Sequence, residues 1–169
     1  SMVVNLSVGK GEFDAHYENL CELAEQAQAV KDELLHAIDE DTEAFNEVIA
    51  AMRMAKDTAD QVELRSAAIR AGYKSAAEVP LSTARQCREV LDLCQAAANI
   101  GNQAVMSDAG VGALMAYAGV QGAIHNVRIN LPSTKDESFI AEMESQLGAL
   151  LSESREICDA IQQQVNSSF

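Results

Sequence analysis

The stretch from Gly101 to Leu131 constrains this chain most. It opens Gly101-Asn102-Gln103-Ala104-Val105-Met106-Ser107-Asp108-Ala109-Gly110-Val111-Gly112-Ala113-Leu114-Met115-Ala116 and closes Gly122-Ala123-Ile124-His125-Asn126-Val127-Arg128-Ile129-Asn130-Leu131, with small residues and few charges throughout. Ser107 stands where an N-cap would, Asp108 where a carboxylate favours the positive end of a helix, and Pro132 where a helix stops, so one helix ending at Leu131 is predicted. Gly110, Gly112, Gly119 and Gly122 lie inside it, and each glycine disfavours an exposed helix by about 1 kcal/mol relative to alanine. Close approach of neighbouring backbones offsets that penalty, which predicts a central helix buried on several sides. A membrane span needs about 20 apolar residues in succession. Here Gln121, His125, Asn126, Arg128 and Asn130 interrupt the run, so a span is excluded.

The surrounding sequence points to an all-helical fold. Aromatic residues make up 4% of the chain and tryptophan is absent, which leaves little of the alternating pattern that builds sheets. At 169 residues the chain is read as a single domain, 1–169, with room for one core. A net charge of −14 argues against nucleic acid or an anionic membrane as the main partner, and an anionic ligand would need a local basic patch. Cys21, Cys87, Cys94 and Cys158 show no metal-like pairing, and no targeting segment is visible, so reduced thiols in a cytoplasmic protein are expected. His16, His36 and His125 stand far apart, Asp32 and His36 are spaced as a surface pair, and no metal site is predicted.

Taken in order, Ser1 to Val8 reads as the last turns of an apolar helix, and Gly9-Lys10-Gly11-Glu12 as a turn. From Phe13 apolar residues recur at threes and fours: Leu20, Leu23, Ala24, Ala27, Val30, Leu34, Ile38, Phe45, Val48 and Ile49. A helix of about 40 residues would span about 60 Å, so it bends or extends along a partner subunit, and a homodimer is expected. Asp57 or Thr58 caps the next run, Gln61 to Ala77. Val79-Pro80-Leu81 is expected to kink the chain or restart the helix, which then continues from Ser82 to Ala98 on a stripe of Cys87, Val90, Leu91, Cys94 and Ala98. Ser133 or Thr134 is expected to cap a last helix carrying Phe139, Ile140, Met143, Leu147, Leu150, Leu151, Ile157 and Ile161.

Two groups of residues bear on chemistry. Asp39, Glu40, Asp41 and Glu43 crowd one turn of the long helix, either as a solvated acidic face or, where partly buried, as a proton shuttle. Asn126 and Asn130 lie one turn apart, either satisfying backbone groups or lining a pocket for a polar heterocycle. No phosphate loop, nucleophile elbow or dinucleotide fingerprint is present.

Asp39-Glu40-Asp41-Thr42-Glu43-Ala44-Phe45, Val79-Pro80-Leu81, Gly101-Asn102, Ser107 through Leu114, Gly122-Ala123 and Asn126 through Asn130 together resemble the formiminotransferase-cyclodeaminase C-terminal domain family. That family includes stand-alone methenyltetrahydrofolate cyclohydrolases. The resemblance implies a multi-helical bundle that dimerises and handles one-carbon units on tetrahydrofolate, with no tightly bound cofactor and a formiminotransferase domain or subunit as a candidate partner. It implies a general acid/base at Asp41, or second at Asp39, with Asp108 as an electrostatic or orienting group. Asn102, Ser107, Asn126 and Asn130 would contact the pterin or hold the carboxylates, and Lys10 and Lys56 would meet the glutamate tail. Relatives carry Leu-Pro-Lys where this chain has Met54-Ala55-Lys56, and a Pro-Gly-Gly-Gly-Ser segment with an Ala-rich helix ahead of the position of Met2, which is not found from Ser1 onward. Three readings result: a cyclodeaminase, a cyclohydrolase, and a helical dimer without turnover.

Overall fold

The structure, a computed structural model, describes residues 2–7, 16–100 and 106–168. Every element among them is an α-helix: α1 (Met2–Ser7), α2 (Tyr17–Met52), α3 (Ala59–Ile100), α4 (Met106–Thr134) and α5 (Glu137–Asn166). The expected turn at Gly9 to Glu12 lies outside the described residues. The long α3 is the spine, packing extensively against α4 on one side and α2 on the other, while α5 covers α3 and α4 together.

Local chemistry sets the ends of these helices. Thr58 Oγ1 accepts from the Gln61 backbone N–H at 3.2 Å, and Gln61 Oε1 accepts in return from the N–H groups of Asp57 and Thr58 at 2.9 and 3.2 Å. This reciprocal capping box satisfies donors that the first turn of α3 leaves free. Arg65 then donates Nε and Nη2 to the Met52 carbonyl at 3.1 and 3.0 Å, which holds the end of α2 against the start of α3.

Four predicted boundaries differ from the structure. No break occurs at Val79-Pro80-Leu81, because α3 runs unbroken through Pro80. Proline removes only its own N–H, so the carbonyl four residues earlier, that of Ala76, loses its helical donor. Asn130 Nδ2 on α4 supplies it, donating to the Ala76 carbonyl at 2.8 Å. Likewise α4 does not stop at Leu131 but continues through Pro132 to Thr134, where Lys135 takes a φ of 52° and turns the chain. Neither Ser133 nor Thr134 caps α5. Asp136 does, with Oδ1 accepting from the Phe139 N–H at 3.0 Å, while Thr134 Oγ1 donates to the Leu131 carbonyl at 2.7 Å. Ser107 falls inside the first turn of α4, which begins at Met106, and is no N-cap.

The glycines of α4 are matched to neighbours on its inner faces. A Cβ added at Gly112 would stand 3.1 Å from Cys94 Sγ, and one at Gly119 only 2.8 Å from Cys87 Sγ. The two pairs are seven positions apart on each helix, so α3 and α4 run antiparallel with a thiol seated over a glycine every second turn. A Cβ at Gly110 would meet Val165 of α5 at 3.0 Å, whereas one at Gly122 would meet nothing within 4 Å. Burial on several sides therefore holds toward α3 and α5 and fails outward, where Val111, Leu114, Met115 and Ile129 are exposed.

Between the helices, Ala77, Leu81, Val120, Ile124, Val127, Met143 and Leu147 form one core cluster, and Leu91, Ala98, Met106, Ala113, Cys158 and Ile161 another. Full burial of each aliphatic side chain contributes about 1.5–3 kcal/mol. On α2 the expected stripe is buried at Leu20, Leu23, Val30 and Val48, but Ile38 and Phe45 are 63% and 54% exposed. His36 pairs with Glu40 at 3.6 Å rather than with Asp32, whose partner is Lys31 at 2.8 Å.

Candidate active site

Since α3 lies between α2 and α4, the other two helices form the walls of a groove of which α3 is the floor. One compartment of this groove is a cavity of about 350 Å³. Ile38, Asp41 and Thr42 face it from α2, Pro80, Thr83 and Cys87 from α3, and Gly119, Ala123 and Asn126 from α4. Each set follows helical three- and four-residue spacing, so each helix offers a single face.

The polar groups in this compartment are of few kinds. Asp41 supplies a carboxylate and Asn126 a carboxamide from the opposite wall. The Thr42 and Thr83 hydroxyls donate to the Ile38 and Val79 carbonyls at 3.0 and 3.3 Å, which leaves their oxygens as acceptors. Burial pushes the Cys87 thiol up from its ordinary range, so it stays protonated near neutral pH. A planar ligand with ring N–H groups and a cationic carbon finds acceptors and negative charge here.

The structure distributes the predicted residues unevenly. Asp41 and Asn126 share the cavity. Asp39, two positions from Asp41, is turned away around α2 and exposed, while Glu40 and Glu43 line a shallow depression on the other side with Glu47 and Glu78. The acidic turn is thus wholly solvent-exposed, with one of its four carboxylates aimed into the groove. Asp108 lines a second compartment of the groove, and Ser107 beside it is exposed. Asn130 Nδ2 donates both to Ala76, as above, and to the Asn126 carbonyl at 3.0 Å. Lys56 is exposed on the α2–α3 turn, and Lys10 and Asn102 lie outside the described residues.

Sequence spacing alone does not mark Thr42, Thr83 and Cys87 as site residues. Thr42 lies within the acidic block itself, and Thr83 and Cys87 follow Pro80 at three and seven positions, which is the signal that would have found them. Among the described residues no group of three His, Cys, Asp or Glu side chains is placed to hold a metal ion. No described helix is long and apolar enough to cross a membrane.

Among the described residues the chain is a strandless bundle of long helices, an all-helical fold carrying a carboxylate and a carboxamide across one groove. Comparison with known proteins narrows the class. Residues 1–149 match the family Formiminotransferase-cyclodeaminase, and the chain belongs to that family. It is 37% identical over 167 residues to the methenyltetrahydrofolate cyclohydrolase of Methylorubrum extorquens, a match covering 99% of this chain and 80% of that protein. It is 34% identical over 155 residues to the formimidoyltransferase-cyclodeaminase of Gallus gallus, of whose length the match covers 29%. In fold it is similar to the formiminotetrahydrofolate cyclodeaminase of Thermotoga maritima, with a TM-score of 0.86 at 22% identity, covering 98% of this chain and 79% of that one. These relatives are folate-processing enzymes, which supports enzyme status for this chain.

Proposed function

We propose that this chain is a cyclodeaminase-type domain that converts 5-formiminotetrahydrofolate to 5,10-methenyltetrahydrofolate with release of ammonia. The observation that carries the reading is the meeting of Asp41 and Asn126 in one cavity of the α2–α4 groove. In this reaction N10 attacks the amidine carbon, a tetrahedral centre forms, and the exocyclic nitrogen leaves as ammonia. A base must take the N10 proton and an acid must supply one to the leaving nitrogen. Asp41 performs both in turn, and its charge then faces the methenyl cation. Asn126 orients the heterocycle, and Asp108 contributes negative charge in the second compartment. No tightly bound cofactor enters this scheme.

A second reading, cyclohydrolase activity, is supported by the 37% identity to a cyclohydrolase over nearly the whole chain. There Asp41 deprotonates water, and the methenyl carbon opens to the formyl product. Assays of both reactions on one preparation decide between them: ammonia release from 5-formiminotetrahydrofolate, and loss of methenyl absorbance above the spontaneous rate. Asp41→Asn is expected to lower kcat of the active assay about 10²–10⁴-fold with binding of 5-formyltetrahydrofolate retained, and Asp39→Asn by far less. No turnover in either assay and no folate binding would establish the third reading, a helical dimer without catalysis.

The proposal extends to assembly. A homodimer through the outer face of α4 is supported by the exposure of Val111, Leu114, Met115 and Ile129 along that helix. The names of relatives that join a formimidoyltransferase to a cyclodeaminase support a transferase domain or subunit as a further partner. Four free thiols suit the cytoplasm.

A further inference from the structure

The groove has a second compartment, about 450 Å³ in volume, and Leu34 lines both. The two are therefore neighbours along one groove. Their chemistry differs. The compartment at Asp41 is the more polar of the two, while the second is walled by Leu35, Val90 and Leu93, with Lys31 its one cation among the described residues. Apolar walls of this kind suit an aromatic ring.

Position along α2 fits one elongated ligand. Lys31, Leu34, Ile38 and Asp41 recur at threes and fours, so they line a single face. Ten positions separate Lys31 from Asp41, which is about 15 Å along the helix. The arm of a reduced folate, from the pterin through the benzoyl ring to the glutamate carboxylates, is about ten bonds long, and at about 1.2–1.5 Å of advance per bond it covers about 12–15 Å. Its order of polar ring, aromatic ring and carboxylate is the order of Asp41, Leu34 and Lys31.

Charge sets where the arm ends. The Lys31 side chain is 55% exposed and, among the described residues, paired at 2.8 Å only with Asp32, its neighbour in sequence. An exposed pair of that kind holds weakly and yields to a competing carboxylate. Farther along the channel stands Asp108. The bond from Gln86 to Glu33 and the seating of Cys94 over Gly112 set the helix registers, and they put Asp108 at the end remote from Asp41, beyond the level of Lys31. A carboxylate that passed Lys31 would meet that negative charge.

Resting on the folate reading above, we infer that the second compartment holds the aminobenzoyl-glutamate arm of the same ligand, and that Lys31 is the specificity-determining residue that binds its carboxylate. Calorimetry with two probes tests this: 5-formyltetrahydrofolate, and 5-formyl-6-methyltetrahydropterin, which has the same ring system without the arm. Lys31→Gln is expected to weaken 5-formyltetrahydrofolate about tenfold and leave the armless pterin unchanged, Lys31→Arg to bind both as the parent does, and Arg155→Gln, an equal charge change on the exposed surface of α5, to alter neither. Equal affinity of Lys31→Gln and the parent for 5-formyltetrahydrofolate overturns the assignment of the arm while leaving the folate reading standing. Equal weakening of both probes also overturns it, since the effect would not then act through the arm. Failure of the parent protein to bind 5-formyltetrahydrofolate removes the folate reading itself, and this inference with it.

Discussion

Asn126 and Asn130 are one helical turn apart and chemically identical, yet the fold gives them different tasks. Asn130 repairs the gap that Pro80 leaves at the Ala76 carbonyl, and Asn126 faces the cavity. Removing a partner from a buried acceptor destabilises by about 1–3 kcal/mol, so Asn130→Ala should lower stability by about that amount in urea unfolding. In a Pro80→Ala background the residue at 80 has an N–H of its own for Ala76, and the same Asn130→Ala change should then have a smaller effect. A double-mutant cycle reads the difference directly. Ser154 shows the opposite case, a fully buried hydroxyl with no hydrogen-bond partner among the described residues. Ser154→Ala discards a desolvated polar group for little lost volume, and thermal melts should show unchanged or raised stability, by up to about 1 kcal/mol. Neither assignment could be read from the residues alone, because each depends on what stands opposite.

Between elements, the contact of α3 with α4 depends on glycine. A methyl group at 119 would come within 2.8 Å of Cys87 Sγ, so Gly119→Ala must separate the helices or drive the thiol out of its place. Overpacking of this kind destabilises by about 1–3 kcal/mol, measurable as a lower urea midpoint, and Cys87→Ala in the same chain should recover much of it. Both residues line the candidate site, so the single variant should weaken ligand binding as well. At the α4–α5 turn, Lys74 Nζ lies 2.6 Å from Asp136 and 5.0 Å from the Phe139 ring centroid. The Lys74 ammonium, then the Ser138 hydroxyl and the Phe139 N–H, hold the Asp136 carboxyl well below the usual carboxylate range. A depressed folded value contributes stability above the unfolded value, near pH 4, and loses it as pH falls through the folded one. Asp136→Asn keeps a capping side chain but not the charge. The Tm gap between parent and variant should be greatest at neutral pH and shrink below about pH 4.

For the whole molecule, the outer side of α4 is the feature that a monomer leaves unexplained. Met115 and Ile129 are 69% and 76% exposed, about four turns apart along the same helix, with the unfilled Gly122 between them. Small and apolar residues in one stripe allow a second helix to approach closely. If that face joins the proposed dimer, Met115→Glu should shift sedimentation toward the monomer while the helical circular dichroism of the chain is kept, because Met115 makes no part of the described core.

Much of the architecture was written locally. Helix type, the Thr58–Gln61 capping box, the buried stripe of α3 and the blocks that carry the family resemblance all depend on residues within a turn or two of each other, where spacing and side-chain chemistry suffice. Tertiary structure alone decided the rest. It carried α3 through Pro80 by bringing a donor from 54 positions away, turned Asp41 and not Asp39 into the groove, and set Lys31 and Asp108 on one channel. Each of these is a relation between helices that meet only when the chain has packed. Sequence periodicity states which face of a helix is apolar, but not which neighbour will cover it.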